Sequence, residues 1–172
     1  MDVSRITSGK LKFKIENDVN LTSIVSQVAE FYRPEFNQAH RTLQLHLQPQ
    51  VTGNWDAMRL SQVITNLISN SLKYGGTKPV EFHLTANENQ ATLRVKDYGI
   101  GIPATQLDRI FHRFERGIAE NFYPGMGLGL WITRQVVEAL SGKISIKSEL
   151  RIGSEFTVEL PRHPIYSDEI TG

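Results

Sequence analysis

Residues 91–97, A-T-L-R-V-K-D, alternate apolar and polar side chains and finish on a carboxylate that keeps step with the apolar set. Successive side chains of a strand point to opposite faces, so a strand here turns Ala91, Leu93, Val95 and Asp97 one way and Thr92, Arg94 and Lys96 the other. A carboxylate aimed at a core is costly unless hydrogen bonds satisfy it. The next residues, Y-G-I-G-I-P, leave two ways to do so. In one, an Asx-type turn brings the Gly99 or Gly101 amide to the acid. In the other, a ligand N–H such as the exocyclic amine of adenine lies at the strand end, with Gly99 and Gly101 leaving room for the base and Ile100 and Ile102 walling it.

The other alternating segments come in adjacent pairs. Val80–Ala86 pairs with Ala91–Asp97 across Asn87-Glu88-Asn89, and Lys143–Ser148 precedes Ser154–Leu160. Lys10–Ile15 and Leu43–Leu47 alternate too, the first as an edge strand. Helical spacing follows Asn20, with Pro34 expected to kink or end that helix, and runs again from Asp56 to about Tyr74, where Gly75-Gly76 stops it. A third helix opens within residues 125–130, reaches Leu140 and is capped by Gly142, after a short helical piece near Thr105–Phe111 and a polar loop, Arg116–Pro124. The tail after Pro161 is expected to be loose. Interleaved helices with later strands in hairpins predict a two-layer α/β sandwich with a mixed sheet, not a doubly wound parallel one.

Bulk composition excludes several functions. A chain of 172 residues with net charge +1 gives no nonspecific pull on nucleic acid or membranes, and zero cysteines exclude disulfides and thiolate metal sites. No apolar run approaches the roughly 20 residues that span a bilayer.

Two further features carry polar chemistry. Along R-L-S-Q-V-I-T-N-L-I-S-N-S-L-K-Y, at about 100° per residue, Asn66, Asn70 and Lys73 fall within about 60° of one another, with Tyr74 at the margin. Leu60, Ile64, Leu67, Ile68 and Leu72 form the opposing core stripe. The polar row fits a solvated face equally with amides facing a hard cation and a lysine facing phosphate oxygens. The second feature, G-M-G-L-G-L at 125–130, has neither the Rossmann spacing nor a Walker lysine, yet it opens a helix. It suits either a flexible hinge or free amides around an anion, with Arg116–Pro124 as a lid and Phe111 and Phe114 as its anchors or as ordinary core.

N-L-I-S-N-S-L-K-Y, D-Y-G-I-G-I-P, I-F-H-R-F-E-R, G-M-G-L-G-L-W-I and G-S-E-F-T-V-E-L-P follow one another in the order and spacing of the catalytic, ATP-binding domain of bacterial histidine kinases, members of the GHKL ATPase superfamily. The chain resembles that domain over nearly all of residues 10–161. Residues 1–9 resemble the junction leaving an upstream dimerisation helix, and 162–172 form the tail. The resemblance implies the GHKL sandwich, a mixed sheet packed on three helices, with ATP and Mg2+ as ligands. It implies Asn70 as the Mg2+-coordinating asparagine, Asn66 as its partner, Lys73 as a phosphate contact and Tyr74 as an aromatic beside adenine. Asp97 matches the acceptor from the adenine amine, Gly99, Gly101 and Ile102 its pocket, and Arg116 a lid arginine near the terminal phosphate. Gly125, Gly127, Leu128, Gly129 and Leu130 match the hinge and the phosphate-proximal turn, and Ser154 and Phe156 fall in the last motif. Arg151 stands where the family often has the first glycine of a Gly-x-Gly, a departure that bears on the turn.

Hydrolysing members of the superfamily carry a glutamate where this chain has Asn66, and an amide is no general base near neutral pH. The resemblance therefore implies an ATP-dependent histidine kinase domain in two-component signalling, slow in hydrolysis, rather than a nonenzymatic nucleotide-dependent clamp or a degenerate kinase interaction domain. None of His40, His46, His83, His112 and His163 has the acceptor's sequence context, so the acceptor is expected on an upstream dimerisation domain and the isolated chain is expected to lack autophosphorylation. A response regulator receiver domain, a homodimeric parent and a cytoplasmic location, without nucleic acid or direct membrane contact, complete these expectations.

Overall fold

The computed structural model describes residues 12–112 and 126–166. Five strands form one mixed sheet in the order β2 (Leu43–Leu47), β4 (Val80–Ala86), β5 (Gln90–Asp97), β7 (Gly153–Pro161), β6 (Lys143–Glu149). β2 runs parallel to β4, and the remaining neighbours are antiparallel. β1 (Glu16–Asn20) and β3 (Thr52–Trp55) make a separate antiparallel pair. Helices α1 (Leu21–Gln38), α2 (Ala57–Tyr74) and α3 (Met126–Ala139) pack side by side, α2 between the other two. This is the expected two-layer sandwich of a mixed sheet and three helices.

Register decides which residues meet. Across β4, β5 and β7, Phe82, Val95 and Phe156 lie in line, as do Leu84, Leu93 and Val158. All six are buried, and they meet Leu60, Ile64, Leu67 and Ile68 of α2 and Leu130, Val136 and Val137 of α3 in one core. On the other face Lys96 sits between Glu81 and Glu155, so a cation separates two carboxylates on a solvated surface.

The starts of α1 and α2 are capped as their sequences require. Asn20 accepts from the Ser23 amide at 3.0 Å. Asp56 does more: one oxygen accepts from Arg59 N at 2.9 Å and the other from Lys14 N at 2.8 Å, within a buried setting.

The structure departs from the sequence reading at several points. Residues 12–15 are not a strand, and 10 and 11 lie outside the described residues. The Lys14 amide goes to Asp56 instead of a neighbouring strand, while Phe13 is buried in the core. The strand follows at E-N-D-V-N, where a register shift and Asp18 at φ 56° disguise any alternation; its partner T-G-N-W was equally unmarked. Pro34 does not end its helix, which continues to Gln38. A proline inside a helix costs about 3 kcal/mol, and burial of Phe36 one half-turn later offsets much of this at about 1.5–3 kcal/mol. The piece near Thr105–Phe111 is a 3₁₀ turn at Ala104–Gln106 followed by irregular turns.

The tail is held beyond Pro161. Arg162 exchanges backbone bonds with Asn54 and Asn89, its side chain reaches the carbonyls of Thr52 and Asn87 at 2.7 Å each, and Tyr166 donates to Asn54 O at 2.7 Å. Residues 167–172 lie outside the described residues. Among the described residues no helix is long and apolar enough to cross a membrane.

Arg151 adopts φ 67° in the β6–β7 turn, fixed by its N–H to Ile100 O at 2.7 Å. A left-handed non-glycine residue is strained, so Arg151→Gly is expected to raise stability by about 0.5–1 kcal/mol in urea denaturation. Asp56→Ala is expected to lower it by about 2 kcal/mol, because the α2 cap and the Lys14 anchor vanish together. A loss below about 0.5 kcal/mol contradicts the double role.

Candidate functional site

Asp97 ends β5 on the inner face, as its phase with Leu93 and Val95 requires, and is 6% exposed. Its Oδ1 accepts from the Gly99 amide at 3.0 Å and from the Ser154 amide at 3.3 Å, Ser154 being its register partner on β7. Among the described residues both hydrogen bonds arrive at Oδ1. The Asx-type turn through Gly99 is thus realised on one oxygen, and it leaves acceptor capacity on the other. Burial pushes the carboxyl above its ordinary pKa, against the pull of the two amides and of the Arg41 charge.

The glycines after Asp97 answer to protein backbone before they answer to any ligand. A Cβ on Gly99 would collide with the carbonyl of Tyr74, and Ile100 N donates to that same carbonyl at 3.2 Å. Gly101 has φ 65° and a Cβ there would meet the carbonyl of Glu149. The segment is therefore clamped between the end of α2 and the β6–β7 turn. Ile102 is buried and its amide donates to Ser148 Oγ at 2.8 Å, whereas Ile100 is 46% exposed and walls nothing closely.

Beside this acid stands α2. Its polar row runs from Asn66 through Asn70 and Lys73 to Tyr74, a rise of about 12 Å for eight residues. Asn66 Nδ2 donates to Gly129 O and to Thr133 Oγ1, each at 3.1 Å, and Thr133 Oγ1 donates to Gly129 O at 2.9 Å. The row is thereby tied to the first turns of α3, where Leu130 is buried and Leu128 half-buried. Asn70 Nδ2 is buried with no hydrogen-bond partner. The amide of Asn70 thus keeps a hydrogen-bonding end that the protein leaves unspent. Lys73 is exposed, and Tyr74 is half-buried, with its hydroxyl pKa raised by burial. Gly127 lies in α3, and Arg116, Phe114 and Gly125 fall outside the described residues. Phe111 is core, edge-on to Phe156 at 6.4 Å between ring centres.

One contributor was not legible in the sequence. Arg41, in the short connection between α1 and β2, is 7% exposed and donates through Nη1 to Ser71 O at 2.9 Å and Leu72 O at 2.8 Å. It caps the C-terminal carbonyls of α2 and stands next to Asp97. Its only sequence signal was the need for a cation opposite an inward acid. Among the described residues no group of three or more His, Cys, Asp or Glu could hold a metal, so a cation would need ligand oxygens besides Asn70.

A family described as histidine kinase-, DNA gyrase B- and HSP90-like ATPase matches residues 55–164. The chain is 35% identical over 166 residues to the sensor histidine kinase RcsC of Escherichia coli strain K12, covering 94% of this chain and 17% of that protein. It is 33% identical over 171 residues to the autoinducer 2 sensor kinase/phosphatase LuxQ of Vibrio vulnificus, covering 94% and 20%. The chain thus spans about a fifth of the length of these relatives. Among solved structures, full-length ShkA in complex with AMPPNP superposes with TM-score 0.81 at 24% identity, over 95% of this chain and 34% of that one. The catalytic domain of histidine kinase ThkA superposes with TM-score 0.78 at 21% identity, over 88% of this chain and 100% of that one. That match covers well over half of the chain, which therefore belongs to the histidine kinase-, DNA gyrase B- and HSP90-like ATPase family.

Proposed function

We propose that this chain binds Mg-ATP and donates its γ-phosphoryl group to a histidine on a dimerisation domain, as the catalytic domain of a two-component sensor kinase. The observation that carries this is the half-used carboxylate of Asp97 beside the end of a helix that carries Asn66, Asn70 and Lys73 in one row. Asp97 Oδ2 accepts from the exocyclic amine of adenine, with Ile102 and Tyr74 enclosing the base. The α2 rise of about 12 Å suits a nucleotide laid along the helix, its phosphates toward Asn70, Lys73 and the start of α3. Asn70 offers an amide oxygen to Mg2+, which when bound neutralises phosphate charge. Lys73, Arg116 and the backbone around Gly125, Gly127 and Gly129 supply the remaining contacts to phosphate.

Asn66 distinguishes transfer from hydrolysis. Its Nδ2 is committed to Gly129 and Thr133, and an amide does not take a proton from water near neutral pH. The phosphoryl group therefore waits for an incoming nucleophile. The chain's own His46 and His83 stack on the outer sheet face, ring centres 4.6 Å apart, away from the helical layer that bears the site. We place the acceptor histidine on another segment, the parent as a homodimer in the cytoplasm, and the onward recipient as a receiver domain.

Asp97→Asn is expected to weaken adenine nucleotide binding by about tenfold or more, since the new amide can present a donor to the amine. Unchanged calorimetric affinity contradicts the pocket. Asn70→Ala is expected to remove the Mg2+-dependent share of ATP affinity and leave the metal-free share; equal loss without Mg2+ contradicts its role. Supplying a dimerisation domain with its histidine and labelled ATP is expected to give acid-labile phosphate, and tight ATP binding without label overturns the kinase reading.

A further inference from the structure

Arg41 is the one strongly buried cation of the described core that the proposed nucleotide contacts leave unused. Nη1 is spent on the Ser71 and Leu72 carbonyls, but Nε and Nη2 are buried without a hydrogen-bond partner. Two idle donors on a buried guanidinium are expensive for capping alone, which one nitrogen already accomplishes. The position of Nη2 says what else it does. A methyl group on Gly75 would sit 2.5 Å from Arg41 Nη2 and 3.0 Å from Asp97 Cβ, so the guanidinium and the acid's side chain flank the same small space over Gly75, with no hydrogen bond joining Nη2 to the carboxylate. Gly75 has an ordinary φ of −78°, and a Cβ there would meet the Ser71 carbonyl first and the Arg41 guanidinium next, so helix backbone and guanidinium together close that space.

We propose that Arg41 is a positioning residue of the purine pocket, a fixed positive charge packed beside Asp97 and against the last turn of α2 that favours the free Asp97 oxygen as acceptor for the exocyclic amine of the base. This rests on the nucleotide reading of the site. Oδ1 is anchored by the Gly99 and Ser154 amides, and the fixed cation behind it sets the charge that the purine amine meets at Oδ2. The same guanidinium grips the last turn of α2, so the acid and the helix carrying Asn70 and Lys73 share one mount.

The other neighbours of Asp97 are unable to substitute. Ser154 of β7 contributes its amide, and Tyr74 at the end of α2 bears a neutral phenol. Lys96 and Glu155 pair with each other across β5 and β7 on the outer face, out of phase with Asp97. Arg41 pulls the Asp97 carboxyl down, more weakly than burial pushes it up.

The test measures metal-free binding of ADP and of purine riboside diphosphate by calorimetry between about pH 5 and 8, for the unmodified chain, Arg41→Met, Arg41→Lys and Asp97→Asn. The second ligand lacks the exocyclic amine but shares the phosphate titration. Arg41→Met is expected to lose about tenfold in ADP affinity near neutral pH, and its acid-side fall in affinity is expected to move up by about one pH unit. Its affinity for purine riboside diphosphate is expected to fall by much less, through the loosened end of α2 alone. Arg41→Lys, which keeps the charge, is expected to restore the acid-side profile. Arg41→Met with unchanged ADP binding, or with both ligands weakened equally, overturns the proposal. Should the Met variant fail to melt cooperatively, an Arg41→Lys profile displaced by a full pH unit overturns it as well. If Asp97→Asn is weak and Arg41→Met normal, only the role of Arg41 falls; if Asp97→Asn binds ADP like the unmodified chain, the pocket reading falls with it.

Discussion

A single inward carboxylate organises this fold. Asp97 points inward because β5 is locked between β4 and β7, with Val95 between Phe82 and Phe156 two residues earlier. A one-residue slip would expose Leu93 and Val95 and turn the acid to solvent, so the hydrophobic core itself holds the charge in place. Around it the chain assembles what a buried carboxylate requires: two backbone amides on one oxygen, a guanidinium behind, and glycines that let three segments converge. The proposed function uses the oxygen those partners leave over.

Helix α2 connects that acid to the rest of the site. Its start is fixed by Asp56, which also secures the Lys14 amide, and its end by Arg41 and by Gly75 N on Ser71 O at 2.9 Å. One face belongs to the core. The other carries Asn66, bound to α3 through Gly129 and Thr133, and Asn70, whose amide has a buried, unused end. A helix held at both ends is a rigid ruler, and phosphoryl transfer depends mainly on positioning and charge neutralisation.

Most of this was legible in the sequence, for identifiable reasons. Strong period-two segments and a capped helix with an apolar stripe located β2, β4, β5 and α2 within a residue or so. Asp97 was legible because alternation is strict and an acid in the wrong phase stands out. E-N-D-V-N and T-G-N-W were not, since their pairing depends on partners far along the chain and not on composition. Pro34, expected to kink or end its helix, does not end it, because local propensity yields to the burial of Phe36. Arg41 was illegible for a related reason: nothing in A-H-R-T-L marks a buried guanidinium until the end of α2 is placed against it. The glycines at 99 and 101 were found for a ligand's sake, yet their missing side chains face Tyr74 and Glu149.

A crystal structure with a nonhydrolysable ATP analogue tests the central claim most directly. The account expects the adenine amine within about 3 Å of Asp97 Oδ2, with Oδ1 still on the Gly99 and Ser154 amides. A base lodged elsewhere, with both carboxylate oxygens bonded only to protein, would contradict it.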